Sequence, residues 1–181
     1  MTVTDPQRQF EQVVVPHLDA AYNLARWLAG NDHDAEDIAQ EASLRAFRFL
    51  GGFRGGNSRS WVLTIVRNTA YTWLKQNRPQ AVVSIGEDEL HEIEDPDALK
   101  NHSSALHHAD RDVLRAALEE LPTEFREVLI LRELEGLSYK EISEVADVPI
   151  GTVMSRLARA RRMLAEKLSP TTAAPRLRVH K

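Results

Sequence analysis

The sequence predicts an all-α fold: two small helical domains joined by a flexible acidic linker, the C-terminal one containing a helix-turn-helix. Three observations predict it. Apolar residues recur at spacings of three and four through most of the chain, the period of amphipathic helices. The stretch 79–110 is polar and acidic, has Pro96 inside it and lacks that period, so it reads as a linker. The stretch LSYKEISEVADVPIGTVMSRLARARRML, Leu137 to Leu164, reads as a helix, a tight turn and a second helix.

The elements follow in chain order. A helix is predicted from Gln7 to Ala29, with Phe10, Val14, Leu18, Ala21, Leu24 and Leu28 on one side and Gly30 at its C-terminal stop. Asp34 is predicted to cap the next helix, whose early Glu36 and Asp37 favour the positive end of the helix dipole. Ala35, Ala39, Ala42, Ala46 and Phe49 give it a narrow inner face, and Gly51 and Gly52 stop it. Its outer face carries Asp37, Gln40, Glu41, Leu44 and Arg48. A leucine ringed by charges suits protein docking, although one exposed leucine is also ordinary.

The loop FRGGNSRS, Phe53 to Ser60, is basic and rich in hydrogen-bonding groups. The third long helix, from Trp61, turns Val62, Val66, Ala70 and Trp73 inward. Its polar stripe is Thr64, Arg67, Asn68, Tyr71 and Lys75, with Trp61 at the edge. Aromatics interleaved with basic and amide groups suit single-stranded DNA. Trp61 reads equally as stacking platform or core, and Trp73 as core.

Beyond the linker, Val113, Leu114, Ala117, Leu118 and Leu121 predict one helix. Phe125, Val128, Leu129, Leu131 and Leu134 predict the next, which Gly136 ends. Ser138 and Glu141 then form an S-x-x-E capping box, and Ile142 and Val145 give that helix its apolar side. In the last helix Ile150, Val153, Leu157, Ala160 and Leu164 predict the buried stripe. Thr152, Ser155, Arg156, Arg159 and Arg162 are assigned to the opposite face, as a helix entering the major groove requires. Guanidinium forks suit guanine edges and phosphates. Arg161 falls on the apolar edge. The stretch 169–181 reads as a disordered basic tail.

Composition narrows the function. The 181 residues contain no cysteine, which excludes disulfides and thiolate metal sites. No signal peptide and no apolar run long enough for a bilayer is present, so a cytoplasmic protein without membrane insertion is expected. The net charge is only −4, but it is unevenly placed. From Ile150 onward eight Arg and Lys face Glu166 alone, whereas Pro79 to Asp110 carries eight Asp and Glu against Lys100 alone. That asymmetry points to a nucleic-acid face and a separate acidic segment. No nucleophile, acid–base pair or phosphate loop is evident, so no enzyme and no cofactor is expected. His102, His107 and His108 are too weak a set for a metal.

The blocks DAEDIAQEA, WVLTIVRNTAYTWL, LPTEFREVLILRELEGLSYKEIS and GTVMSRLARAR, in that order, resemble the sigma factors of bacterial RNA polymerase, in particular the small two-domain extracytoplasmic-function group. The resemblance implies a region 2 domain over 1–78, a linker over 79–110 and a region 4 domain over 111–168. It implies that Asp37, Gln40, Glu41, Leu44 and Arg48 bind the clamp helices of core polymerase. It implies that Arg54, Asn57, Arg59, Trp61, Arg67, Asn68, Tyr71 and Lys75 melt and read the −10 element, with a base flipped from the duplex. Thr152, Ser155, Arg156, Arg159 and Arg162 would read duplex at −35. An anti-sigma factor clasping both domains is implied in the same way. Two features depart from the family pattern: Thr72 stands where an aspartate is usual, and Lys75-Gln76-Asn77-Arg78 is less basic than the usual cluster. The alternatives are a stand-alone operator-binding regulator, which leaves the first three helices unused, and an adaptor that binds no DNA, which leaves the arginine face unused.

Overall fold

The computed structural model describes residues 5–82 and 111–169. Most of the linker, with its three histidines, and the tail beyond Ser169 lie outside the described residues. Among those described, the regular structure is helical throughout.

The first part is a bundle. α1 (Pro6–Val13) starts at Asp5, whose carboxylate accepts from the Gln7 amide. One helix from Gln7 to Ala29 was expected, but Pro16 interrupts it. Proline has no amide to donate, and the chain passes through a short 3-10 turn, Val15–His17, before α2 (Leu18–Ala29). The kink turns Leu18 outward, so it leaves the expected buried row. Gly30 closes α2 at φ +82°, a left-handed conformation that glycine adopts without a Cβ clash.

α3 (Asp32–Phe49) is capped by Asn31, not by Asp34 as expected. The Asn31 side chain accepts from the Asp34 amide, and Asp34 sits inside the first turn. Ala35, Ile38, Ala42 and Ala46 are buried, and the small side chains let α2 and α4 approach closely. Phe49, expected inside, is instead exposed, and Leu50 of the following 3-10 turn takes the buried place. α4 (Ser58–Asn77) begins three residues earlier than the sequence suggested, because Asn57 caps it through the Ser60 amide. It buries Leu63, Thr69 and Leu74 besides the expected Val62, Val66 and Ala70, while Trp73 is half-buried. Arg78 closes the bundle, donating to the Ala29 carbonyl and to Asp34.

The second part contains α5 (Arg111–Glu119), α6 (Thr123–Leu129), α7 (Tyr139–Ala146) and α8 (Ile150–Leu168). α6 runs on into a π-helical turn, Ile130–Leu134. The capping box at α7 is complete: Ser138 Oγ accepts from the Glu141 amide and Glu141 accepts from the Ser138 amide. α7 ends at Asp147, in the left-handed region at φ 55°. α6, α7 and α5 all pack on α8, whose buried stripe is Val153, Leu157, Ala160 and Leu164. Ile150 was expected in that stripe, Leu134 on the apolar side of its helix and Val113 on that of α5. All three are more than two-fifths exposed.

The two parts touch. α4 packs against α7, α2 packs against α6 and the π-turn, and the buried residues of both parts form one continuous cluster. Thr123 donates to the Ala81 carbonyl across the seam at 2.8 Å.

Candidate nucleic-acid and protein interfaces

Three surfaces carry the chemistry. The first lies on α3. Asp37, Gln40, Leu44 and Arg48 are exposed, and Glu41 is half-exposed with its carboxylate taken by Arg45 at 2.8 Å. That bond holds the Glu41 carboxyl below the usual carboxylate range. Leu44 does not stand alone. With Phe10, Leu18, Tyr22, Ala39 and Phe47 it lines an open apolar groove of about 680 Å³ between α1, α2 and α3. Phe47 is half exposed and meets Phe10 edge-on with ring centroids 5.6 Å apart. The sequence reading missed these groove residues, because the break at Pro16 that brings Phe10 and Leu18 over α3 interrupts an otherwise unbroken apolar period.

The second surface is the polar face of α4 with its preceding loop. Arg54, Asn68 and Lys75 are exposed. Trp61 is half-buried and packs at 5.1 Å against the Phe53 ring. Phe53, Arg54, Asn57, Ser60, Trp61 and Thr64 surround a small cavity of about 260 Å³. The Ser60 hydroxyl beside it is buried and has no hydrogen-bond partner. Asn57, Arg59, Arg67 and Tyr71 are all engaged by carboxylates of the second part. Asn57 donates to Glu141 and Arg59 to Glu135, each at 2.5 Å. Arg67 donates to Glu127 at 2.8 Å and Tyr71 to the other Glu127 oxygen at 2.9 Å, with the Arg67 guanidinium 4.2 Å over the Tyr71 ring.

Glu127 is fully buried. Burial pushes its carboxyl above the usual range, and Arg67 and Tyr71 draw it part of the way back. Burial works to lower the Arg67 guanidinium, but the Glu127 charge overrides it and keeps the group firmly protonated. Burial, and then the Glu127 charge, push the Tyr71 phenol far up, so it stays a donor. The sequence reading missed Glu127, Glu135 and Glu124. A signal was present: Phe125, Val128, Leu129, Ile130 and Leu131 place apolar groups all round α6, which marks a helix buried on every side.

The third surface is α8. At roughly 100° per residue, Ser155, Ala158 and Arg162 lie opposite the buried stripe. Arg156 does not. It falls only about 40° from Ala160 on the same wheel, and its guanidinium is held by Glu124 of α6 at 3.0 Å with both side chains 14% exposed. The expectation that Arg156 shares the outward face is therefore corrected by the helix geometry. Ser155 is half-buried and donates to the Thr152 carbonyl; Thr152 and Arg159 are half-buried and Arg162 is exposed. Met154, not anticipated, stands on the outer side at 40% exposure. Arg161 is held by Glu133 at 2.6 Å, in keeping with its place at the apolar edge.

Among the described residues no His, Asp and Glu group is arranged to hold a metal, and no helix is long and apolar enough to cross a membrane. The fold defines an all-helical protein with a helix-turn-helix and a separate bundle whose basic, aromatic helix faces it. Residues 13–80 match the family of sigma-70 region 2, and residues 111–164 match sigma-70, region 4. The sigma-E factor of Escherichia coli is 34% identical over 171 residues, covering 91% of this chain and 88% of that one. The sigma-H factor of Pseudomonas aeruginosa is equally similar, at 34% over 172 residues with coverages of 91% and 88%. SigE of Mycolicibacterium smegmatis is 35% identical over 161 residues, but the chain spans only 62% of its length. Among solved structures, the sigma factor RpoE of Bartonella quintana, in complex with the anti-sigma factor NepR, matches with a TM-score of 0.67. The identity is 26%, over 88% of this chain and 96% of that one. The chain belongs to the extracytoplasmic-function sigma factors of the sigma-70 family.

Proposed function

We propose that this chain directs bacterial RNA polymerase to a set of promoters by binding the core enzyme and recognising the −10 and −35 elements. The observation that carries the reading is the order of two sigma-70 blocks on one chain, each with an outward face whose chemistry suits a separate task. In this reading residues 1–78 act as region 2, 79–110 as linker and 111–168 as region 4, with 169–181 a basic tail.

The α3 face with Asp37, Gln40, Glu41, Leu44 and Arg48 takes the core polymerase. The adjoining apolar groove supplies burial that charges alone do not, at about 25 cal/mol per Å². The α4 face with Arg54, Asn57, Arg59, Trp61, Arg67, Asn68, Tyr71 and Lys75 takes the melted −10 strand, through ring stacking and backbone charge. The cavity bounded by Phe53, Trp61 and Ser60 suits a base taken out of the stack, since an aromatic wall and an unpaired hydroxyl meet there. On α8, Thr152, Ser155, Arg159 and Arg162 approach the −35 groove. Arg156 supports them from the flank through Glu124. Met154 offers an apolar contact of the kind a thymine methyl accepts.

The protein works in the cytoplasm, as a regulator without catalysis or cofactor of its own. An anti-sigma factor is a further partner; the RpoE–NepR complex supports it. Run-off transcription with purified core polymerase on a promoter library tests the reading. Promoter-dependent transcripts that require this chain are expected. A chain that is not retained by core polymerase and changes no transcript sinks it.

A further inference from the structure

We propose that His17 is a positioning residue for promoter opening: from the turn that shapes the α3 groove, it braces the loop that meets the −10 strand. The proposal rests on the reading that this loop and α4 take the melted −10 element.

His17 ends the 3-10 turn that follows Pro16 and stands at the cap position of α2, yet its ring does not cap that helix. It crosses 41 residues of sequence to Ser58, the first residue of α4, and shares a hydrogen bond there, Nε2 to Oγ at 2.8 Å. Both residues are half-buried. Burial, then the Arg59 charge, hold the imidazole below its ordinary range, so at neutral pH the ring is uncharged and an amide can stand in for it.

The loop has little packing of its own. Residues 51–56 include four glycines. Gly55 and Gly56 adopt φ +88° and +97°, and a Cβ at either would meet nothing within 4 Å. Phe53 rests on Trp61, and Asn57 accepts from the Ser60 amide, but both partners belong to α4 itself. Asn57 and Arg59 also reach Glu141 and Glu135, which lie in the second domain. Among the described residues, His17–Ser58 is the one side-chain hydrogen bond that ties residues 53–60 to another element of the first domain. Ser58 stands between Asn57 and Ser60, both of which border the cavity beside Trp61. A binding site on a loop is only as exact as the contacts behind it.

The other end of the bond points to polymerase. Leu18, the residue after His17, lines the apolar groove with Leu44. A partner seated against Leu18 fixes the backbone that carries His17, and with it the start of α4.

The chain has no native cysteine, so a spin label at Arg54→Cys, an exposed loop position, reports loop mobility in the full chain. The variants are His17→Leu, which keeps bulk and loses the bond, and His17→Gln, whose amide restores a partner for Ser58. Ser58→Ala removes the bond from the other side, should His17→Leu fold poorly. Retention on immobilised core polymerase is measured for each. At saturating core polymerase, opening is followed by permanganate reactivity of thymines on a promoter that run-off transcription selects. His17→Leu and Ser58→Ala should free the label, keep retention within about twofold and slow opening about three- to tenfold, the range one neutral hydrogen bond spans. His17→Gln should bring label and opening back near wild type. A label that responds to neither His17→Leu nor Ser58→Ala overturns the brace. A freed label with unchanged opening overturns the positioning role, as does a His17→Gln variant no better than His17→Leu. A wild-type chain that is not retained and opens no promoter defeats the promoter reading, whereas the label spectra still decide the brace.

Discussion

Arg156→Ala separates support from reading on α8. The side chain is 14% exposed and holds Glu124, itself 14% exposed, at 3.0 Å. Removing one partner of a fully buried pair costs about 3–5 kcal/mol, whereas exposed pairs contribute about 0–1 kcal/mol. This pair lies between those limits, so Arg156→Ala should destabilise the chain by about 2 kcal/mol. For a chain of this size that lowers the melting temperature by roughly 4–8 °C. A base reader behaves differently: its loss removes about 1–3 kcal/mol of discrimination and leaves stability nearly untouched. The assays are urea unfolding of the full chain followed by far-UV circular dichroism, and titration of matched and mismatched −35 duplexes by the folded protein. Arg159→Ala, measured beside it, should lose discrimination with a smaller change in midpoint. An unchanged urea midpoint for Arg156→Ala, together with selective loss on the matched duplex, would refute the reasoning from the helix wheel and return Arg156 to the reading face.

Leu44→Glu places a charge at the mouth of the α3 groove, where the native side chain is 54% exposed. It should weaken retention on core polymerase about tenfold or more with an unchanged dichroism spectrum; full retention would remove the groove from the interface. Ser138→Ala removes half of the α7 capping box and should cost about 1 kcal/mol in urea unfolding. Glu141 in that box is held below its ordinary value, first by the Ser138 amide. Its contribution is thus present above about pH 4.5 and fades as pH falls through the lowered value, so wild type and Glu141→Gln should converge in strong acid. Divergence there would show that the cap does not act through the carboxylate. A fragment ending at Arg78 keeps the α2–α3–α4 core and the groove, and should fold, bind core polymerase and fail to bind −35 duplex. An NMR spectrum without amide dispersion would count against a separable first domain.

Much of this architecture was legible because it is local. The capping box needs only Ser138 and Glu141 three residues apart, and the stripe Val153 to Leu164 needs only the helical period. What failed to show depended on distance in sequence or on a break in the period. Pro16 was visible, but the apolar rhythm ran straight across it, so the turn that exposes Leu18 and builds the groove was not foreseen. Asn31 outranked Asp34 as cap because the choice depends on where the backbone becomes helical. The partners of Arg67 and Tyr71 lie on α6, and no spacing rule connects residues that meet only after both domains form. Arg156 was a different error, since its angle beside Ala160 was already contained in the sequence.

The seam between the domains joins apolar burial around α6 to ion pairs such as Arg67–Glu127, and both respond to warming in the same direction. Apolar association weakens on cooling. The cost of stripping water from paired charges falls as temperature rises. Over the range in which each domain stays folded, warming therefore tightens the seam and cooling loosens it. A distance distribution recorded from cold to warm should narrow with temperature, and the fraction of chains with α4 open to solvent should be largest in the cold.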